Sequence, residues 1–347
     1  MSLPAESGAR TLAGLSAAVA GAGAVGTTVA LALAKAGARV ALIDRTAAGP
    51  NASMVAAGML APAFEAVFDE AARPHVGLML SARDLWAPLA EEIGLRLETA
   101  GAMAVGEVDD LDAWRARLAA HGLTSRRLTA AEARARCPGV HAAAGAVWSG
   151  EDLRLEAGAA LAALRRAAAS AGARFVDDAV VGFSPGRACL ARGGELLADA
   201  LVIATGASAS LLTIAPELAR LTPIKGHILQ APDLAPPGIL LRFAGGYVCP
   251  AAGGPLIGAS MEVGRDDLAV DAKIVAELLR RAARFLPALR GARVGARTGV
   301  RAATADALPL MGRSESPGIW LAVGARRNGW LLAPLIAGRL AEAMARG

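Results

Sequence analysis

The chain begins with apolar runs separated by glycine turns, in an order typical of alternating strands and helices. Residues 15–20 form a largely apolar run that predicts a short buried strand, and residues 27–36 predict a helix that ends at Gly37. Residues 40–43 form a second apolar run, which predicts the next strand. Continuous apolar strands of this kind are typical of parallel sheets covered on both faces. The pattern therefore predicts a βαβ unit.

Later segments divide into helix–strand alternation near both ends and a strand-rich middle. Helices are predicted at residues 75–93, 155–170, 271–285 and 328–344, and one more opens at the capping box formed by Thr129 and Glu132. Strands are predicted at residues 97–107 (a short pair around Gly101), 196–205, 221–230, 246–250, 255–260 and 319–324. This distribution predicts an α/β fold with a discontinuous Rossmann-like domain and an inserted α+β domain built on a mixed or antiparallel sheet. The predicted domains are residues 1–85, 150–210 and 297–347, and residues 86–149 and 211–296.

The turn after the first predicted strand carries glycines in the spacing G-x-G-x-x-G. Gly21 allows the tight turn, Gly23 lets the backbone approach a pyrophosphate, and Gly26 lets the helix pack closely on the strand. The helix N-terminus offers free amides to phosphates. Asp44, 18 residues after Gly26, ends the second strand at the position where an acid accepts from a ribose hydroxyl. A glycine-rich turn without a ligand is the alternative, but the strand, helix, strand and acid together favour a dinucleotide site.

Composition narrows the possible functions. The uncharged stretch 12–34 is long enough to span a membrane, but a turn motif interrupts it, so we expect a protein without a membrane segment. The net charge of +5 is dispersed and only 3% of residues are aromatic, which does not favour nucleic-acid binding. Three widely spaced cysteines indicate a reducing compartment, hence the cytoplasm, and four histidines without ligand spacing predict no metal site.

Six motifs together resemble the D-amino-acid oxidase superfamily of FAD-dependent oxidoreductases, and most closely its glycine oxidase family of thiamine biosynthesis. The resemblance covers nearly the whole chain, and its last two motifs are the more specific ones. The motifs are GAGAVG (21–26), AAGMLAP (56–62), ATG (204–206), PIKG (223–226), GVRAAT (299–304) followed by Asp306, and GARRNGWLLAP (324–334).

The resemblance implies that FAD binds non-covalently. Sarcosine oxidases of the superfamily often attach the flavin to a cysteine near the C-terminus, and this chain has no cysteine after Cys249. Asp44 stands where relatives usually have glutamate, and Val180 or Val181 would contact the adenine through its backbone. The start of the closing helix would face the flavin pyrimidine carbonyl. The implied cofactor-binding residues are Gly21, Gly23, Gly26, Asp44, Arg45, Ala57, Gly58, Met59, Val181, Thr205, Gly206, Arg301, Arg327, Asn328, Gly329, Trp330 and Leu331.

The resemblance also implies a substrate site. Arg301 would clamp a substrate carboxylate, Tyr247 would share it, Arg327 would add a second cation, and Met261 would line the pocket. The implied reaction is hydride transfer from the glycine α-carbon to flavin N5, with positioning rather than a protein base as the main catalytic contribution. Its products are the imine and then glyoxylate, ammonia and, through dioxygen, hydrogen peroxide. In the thiamine pathway the imine would supply thiazole formation.

Several alternatives stay open at this point. Surface or core roles are possible for Arg301, Tyr247 and Met261 in an arginine-rich chain. The substrate of an FAD-dependent oxidase or dehydrogenase of this kind could be sarcosine, a D-amino acid or hydroxyproline. A nicotinamide-dependent enzyme fits less well with the motif at 324–334. A protein that binds FAD without turnover, as an assembly or tRNA-modifying partner, is the alternative outside enzymes. A homo-oligomer is possible.

Overall fold

The computed structural model describes residues 11–45 and 51–346 and confirms the predicted mixed α/β class. Its strands are β1 (Ser16–Ala20), β2 (Arg39–Ile43), β3 (Met59–Leu60), β4 (Ala102–Ala104), β5 (Arg126–Leu128), β6 (Ala146–Ser149), β7 (Leu153–Arg154), β8 (Arg174–Val176), β9 (Val180–Ser184), β10 (Gly186–Leu190), β11 (Glu195–Ala198), β12 (Ala200–Ile203), β13 (Thr222–Gln230), β14 (Leu240–Phe243), β15 (Gly246–Cys249), β16 (Leu256–Gly258), β17 (Glu262–Val263), β18 (Gly295–Ala303), β19 (Leu310–Arg313) and β20 (Ile319–Val323). Its helices are α1 (Ala24–Lys35), α2 (Ala52–Val55), α3 (Pro62–Phe68), α4 (Val76–Asp84), α5 (Trp86–Glu92), α6 (Val108–Ala120), α7 (Ala130–Arg136), α8 (Ala157–Ser170), α9 (Ala272–Phe285) and α10 (Gly329–Arg346), with 3₁₀ turns at Arg73–His75, Pro216–Arg220 and Pro287–Leu289.

A six-stranded sheet contains the predicted βαβ unit. Its strand order is β19-β20-β12-β1-β2-β8, and all neighbours are parallel except β19 and β20. Every residue of the central strand β1 is buried, as expected of a strand covered on both faces. Helix α1 packs against α8 and α10, so the first and last helices of the described chain share one layer.

A nine-stranded sheet takes its strands from residues 102–149 and 222–303. Along most of it the order is β17-β13-β16-β15-β14-β4-β6-β5, and β18 pairs with the full length of β13, residue 222 opposite 303 and 230 opposite 295. Only β14 and β4 pair in parallel, so the sheet is mixed, as the fold prediction expected. The proposed domain division stays a prediction, and its boundary at 297 falls inside β18.

Three elements differ from the prediction. The run 196–205 forms two strands, because β11 pairs with β10 in a separate three-stranded sheet and β12 pairs with β1. Asp199 lies at the bend between them, where its carboxylate accepts from the backbone N–H and hydroxyl of Ser16 at 2.8 and 2.6 Å. The helix expected at 75–93 forms α4 and α5, with a break at Leu85 that places the indole of Trp86 in the core. The expected strand pair at 97–107 does not form, because β4 pairs with β6 and β14 while Glu98 bridges to Arg154.

The uncharged stretch 12–34 is divided between β1 and α1, with the glycine turn between them. Within residues 11–45 and 51–346, no helix combines the length and apolarity needed to cross a bilayer.

Candidate functional site

A cavity of about 430 Å³ lies where β1, β2, β12 and β20 end, beside the first turn of α1 and the start of α10. The carboxyl ends of parallel strands are the usual ligand-binding edge of such a sheet. The predicted cofactor residues that line this cavity are Gly21, Gly23, Asp44, Arg45, Thr205, Gly206, Arg301, Arg327, Gly329 and Trp330.

The glycine turn packs too closely for side chains. Gly21 has φ +103°, and a Cβ there would lie 2.4 Å from the carbonyl oxygen of Ala204. A Cβ on Gly26 would lie 1.9 Å from the carbonyl oxygen of Gly21, so Gly26 supports helix–strand packing and does not itself line the cavity. The hydroxyl of Ser53 accepts from the amide of Ala24 at 2.9 Å, a contact in the first turn of α1 that the sequence did not indicate.

Asp44 stands at the end of β2 and lines the cavity. Its Oδ2 atom accepts from the amide of Ala22 at 2.6 Å, so the acid also holds the glycine turn. The segment Asp178 to Val180 lines the cavity, whereas Val181, which was predicted to contact the adenine, is 54% exposed and does not line it. Val180, the other residue weighed for this role, is therefore the better placed of the two.

A smaller cavity of about 80 Å³ adjoins the first one, and Arg301, Arg327 and Trp330 line both. This smaller cavity is lined by the predicted residues Ala57, Gly58, Met59, Tyr247, Met261 and Asn328, and also by Glu65, which was not predicted. Residues from 52–65, 226–261 and 299–330 thus come together in a volume suited to a small molecule.

Arg301 lies on β18, where its guanidinium crosses Gly226 of the neighbouring strand β13. A Cβ on Gly226 would lie 2.4 Å from Nη1 of Arg301, so this glycine makes room for the guanidinium. Nη1 donates to the carbonyl oxygen of Ser260 at 3.3 Å and to the sulfur of Met261 at 3.5 Å. Burial lowers the pKa of the guanidinium, but arginine stays charged at physiological pH. Within residues 11–45 and 51–346, Arg301 forms no ion pair with a carboxylate at 4.0 Å or less.

Tyr247 lies on β15 and is buried. Burial raises the pKa of its hydroxyl to about 12, so the phenol is protonated at neutral pH and can donate a hydrogen bond. A Cβ on Gly258 of the paired strand β16 would lie 2.4 Å from this hydroxyl, so the glycine is required for its position.

Arg327 is tied into a buried cluster of charges beneath the smaller cavity. Its Nε lies 3.1 Å from Oε2 of Glu65, and its Nη1 lies 3.6 Å from Oδ2 of Asp69. Burial opposes the charge of Arg327, but the carboxylates of Glu65 and Asp69 outweigh it and raise the pKa of the guanidinium. Arg242, 1% exposed, donates to Oε1 of Glu65 at 3.1 Å, and Arg326 pairs with Asp69. The sequence reading missed Glu65, Asp69 and Arg242.

The start of α10 stands between the two cavities. The indole of Trp330 donates to the carbonyl oxygen of Ser53 at 3.0 Å, and the indole of Trp86 donates to the carbonyl oxygen of Trp330 at 3.0 Å. Leu331 is fully buried and lines neither cavity, and its contact with the cofactor stays a prediction. No group of three or more His, Cys, Asp or Glu side chains in the described ranges is arranged to hold a metal ion.

Comparison with known proteins decides the family. Residues 16–343 match the family described as DAO, FAD dependent oxidoreductase. The chain belongs to this family.

Two relatives and one solved structure illustrate the similarity. The chain is 35% identical to the glycine oxidase of Geobacillus kaustophilus over 92% of this chain and 89% of that protein. The crystal structure of glycine oxidase from Geobacillus kaustophilus superposes with a TM-score of 0.82 at 32% identity, over 95% of this chain and 94% of that one. The tRNA 5-methylaminomethyl-2-thiouridine biosynthesis bifunctional protein MnmC of Maricaulis maris is 32% identical over 95% of this chain, which corresponds to 52% of that protein.

The residues at the large cavity fit the FAD that the family implies. The turn at Gly21 excludes any side chain, the first turn of α1 lies at the wall, and the acid Asp44 stands at the end of β2. The protein is therefore an FAD-dependent oxidoreductase, as the sequence predicted, while the roles of its individual residues stay predictions.

Proposed function

We propose that this FAD-dependent oxidoreductase oxidises the amine of glycine or of a comparably small amino acid. The observation that carries the proposal is Arg301, a half-buried cation without a carboxylate partner in the described chain, at the junction of the two cavities. A guanidinium fork matches a carboxylate with two parallel hydrogen bonds, so a substrate carboxylate completes this site. The family and the similarity to a glycine oxidase along most of both chains support the assignment.

The residues around the small cavity would bind and orient the substrate. Arg301 would hold the carboxylate, and the protonated hydroxyl of Tyr247 would donate a further hydrogen bond to it. Arg327 is engaged by Glu65 and Asp69, so we assign it to the shape and charge of the wall rather than to the predicted second contact with the substrate carboxylate. Bound FAD supplies the two-electron acceptor for the oxidation of the amine to an imine. The contribution of the chain is orientation and exclusion of water.

The wider setting is also proposed. Water would convert the imine to glyoxylate and ammonia, dioxygen would be the final electron acceptor, and the reaction would supply thiazole formation in thiamine synthesis. Relatives named bifunctional protein ThiO/ThiG support this last point. We also infer a cytoplasmic location, from the cysteine pattern.

A second candidate is oxidation of a larger amine, such as sarcosine, a D-amino acid or hydroxyproline. The similarity to MnmC, whose name concerns a modified tRNA base, adds a macromolecular amine to these alternatives. The small cavity of about 80 Å³ favours the smallest substrates over all of them.

The test is oxygen consumption by the FAD-loaded protein with a panel of amines at equal concentration, with hydrogen peroxide measured alongside. The panel contains glycine, sarcosine, D-alanine, D-proline and trans-4-hydroxy-D-proline. We expect the highest kcat/KM for glycine, with one hydrogen peroxide formed per oxygen consumed. A yellow protein that reacts with a larger amine and not with glycine would contradict the proposed substrate.

A further inference from the structure

The small cavity contains an acid for which the proposed function has no role. Glu65, on α3, is 3% exposed and is the one acidic residue of the described chain that lines this cavity. Its Oε1 atom accepts from Arg242. Its Oε2 atom lies 3.1 Å from Nε of Arg327 but accepts no aligned hydrogen bond within the described ranges. The charge of Arg327 compensates this oxygen, which keeps acceptor capacity for the N–H group of a ligand.

The charged side chains that line the cavity differ in their partners. Arg301 has no carboxylate partner in the described chain, whereas Arg327 is shared between Glu65 and Asp69. The cavity therefore offers one cation without a carboxylate partner and one carboxylate whose Oε2 atom, ion-paired with Arg327, accepts no aligned hydrogen bond. A zwitterionic amino acid carries the complementary charges, a carboxylate and an ammonium group, at its two ends.

We propose that Glu65 is a specificity-determining residue that recognises the amine end of the substrate, pairing with an ammonium group and repelling a second carboxylate. This inference rests on the proposed function, since it takes the substrate carboxylate to lie on Arg301. It predicts a preference for amino monocarboxylates over dicarboxylates of the same length. Like charges brought together in a buried site oppose binding strongly.

The test compares two ligands that extend acetate by groups of opposite charge, glycine with an ammonium group and malonate with a second carboxylate, and acetate is the reference. The dissociation constants of acetate and malonate are measured with the FAD-loaded protein from changes in the visible flavin spectrum. That of glycine is taken from the concentration dependence of flavin reduction without oxygen. We expect the ratio of the malonate constant to the glycine constant to fall at least tenfold in Glu65→Gln, with acetate binding changed less than threefold.

Asp69→Asn is the matched control. It removes a carboxylate from the same buried cluster, at 5% exposure, but Asp69 does not line the cavity. The ratio should stay within threefold of the wild-type value. If Glu65→Gln no longer binds acetate, Glu65→Asp, which keeps the charge, decides the question. If Glu65→Asp binds acetate and keeps the wild-type ratio of the malonate constant to the glycine constant, the inference is supported. Any other result for Glu65→Asp contradicts it.

Two negative results have different meanings. A wild-type flavin that responds to none of the three ligands contradicts the carboxylate site at Arg301, and with it the proposed function. The second negative result is a wild-type protein that binds acetate and glycine, with a malonate-to-glycine ratio that changes equally in Glu65→Gln and Asp69→Asn, or changes in neither. This result contradicts the role of Glu65 but leaves the carboxylate site at Arg301 intact.

Discussion

At the scale of single residues, the site depends on side chains from distant parts of the chain. Arg301 and Tyr247 lie on β18 and β15, which belong to one sheet but do not pair directly. Periodicity cannot bring such residues together, and only the resemblance to a family selected them. Glu65 escaped prediction because it is a lone acid in an otherwise apolar helix, PAFEAVF, and burial of its charge depends on Arg242 and Arg327.

Asp152 provides a residue-level prediction about pH. Its carboxylate accepts from the amides of Ala63 and Phe64 at 2.8 and 3.3 Å, at the start of α3. Burial raises its pKa to about 7, despite the opposing charge of Arg242. A raised folded-state pKa means that this acid favours the folded state at low pH and loses that contribution as pH rises toward 7. The difference in melting temperature, wild type minus Asp152→Asn, should therefore decrease as the pH is raised from 5 to 8.

Asp199→Asn serves as the control with the opposite sign. Hydrogen bonds from Ser16 lower the pKa of Asp199, so its contribution is lost only as pH falls below about 4. Thermal unfolding of both variants across pH 3–8 makes the comparison. If the melting temperatures of the wild type and Asp152→Asn differ by the same amount at every pH from 5 to 8, the Asp152 carboxyl does not titrate in this range.

At the scale of elements, the βαβ unit was predictable because each step of it has a local cause. A glycine turn, an apolar helix and an acid after the second strand all follow from the sequence. The capping box at Thr129 and Glu132 also forms as predicted, at the start of α7. The division of residues 196–205 into β11 and β12 was not predictable, because it depends on the pairing of β12 with the distant strand β1 while β11 pairs with β10.

Gly26 tests the packing of α1 on the glycine turn. Gly26→Ala would place a Cβ 1.9 Å from the carbonyl oxygen of Gly21, so the turn or the helix must move. We expect overpacking to lower the free energy of unfolding by about 1–3 kcal/mol. We also expect FAD to bind at least tenfold more weakly, as measured by fluorescence titration. Gly338→Ala is the control, since it also lies in a helix but has open space around it. It should gain about 1 kcal/mol and leave FAD binding unchanged. Equal FAD affinity in both variants would contradict this account of the turn.

The segment between β17 and α9 depends on an ion pair with a buried lysine. Lys225 of β13 has a fully buried side chain and pairs with Asp267 at 2.5 Å, while the exposed Arg265 also contacts Asp267. Asp267→Asn should lower the denaturant midpoint of unfolding, because the buried ammonium group of Lys225 loses its charged acceptor. Arg265→Gln, which removes only the exposed partner, should lower the midpoint less. Denaturant unfolding measures both, and equal losses would refute the special role of the buried partner.

At the scale of the whole molecule, the two cavities lie where the two sheets approach each other. Residues 299–302 of β18, a strand of the nine-stranded sheet, line the two cavities, and Trp330 at the start of α10 lines both of them. The sequence predicted two sheets from its helix–strand alternation at the ends and its strand-rich middle. The sequence could not place the boundary between the two sheets. Strand β18 pairs with β13 of the nine-stranded sheet along its whole length, yet its last residues line the cofactor cavity beside the six-stranded sheet.

The central claim is that Arg301 binds the carboxylate of a small amino acid beside the flavin. It is tested most directly by mixing the FAD-loaded protein with glycine without oxygen and following the visible flavin band. The account predicts that glycine bleaches the wild-type band. Arg301→Ala should require about 100-fold more glycine or more, since two charge-assisted hydrogen bonds are lost. Arg297→Ala, an exposed arginine on the same strand, should behave as the wild type. Bleaching by glycine at equal concentrations in the wild type and Arg301→Ala would contradict the account.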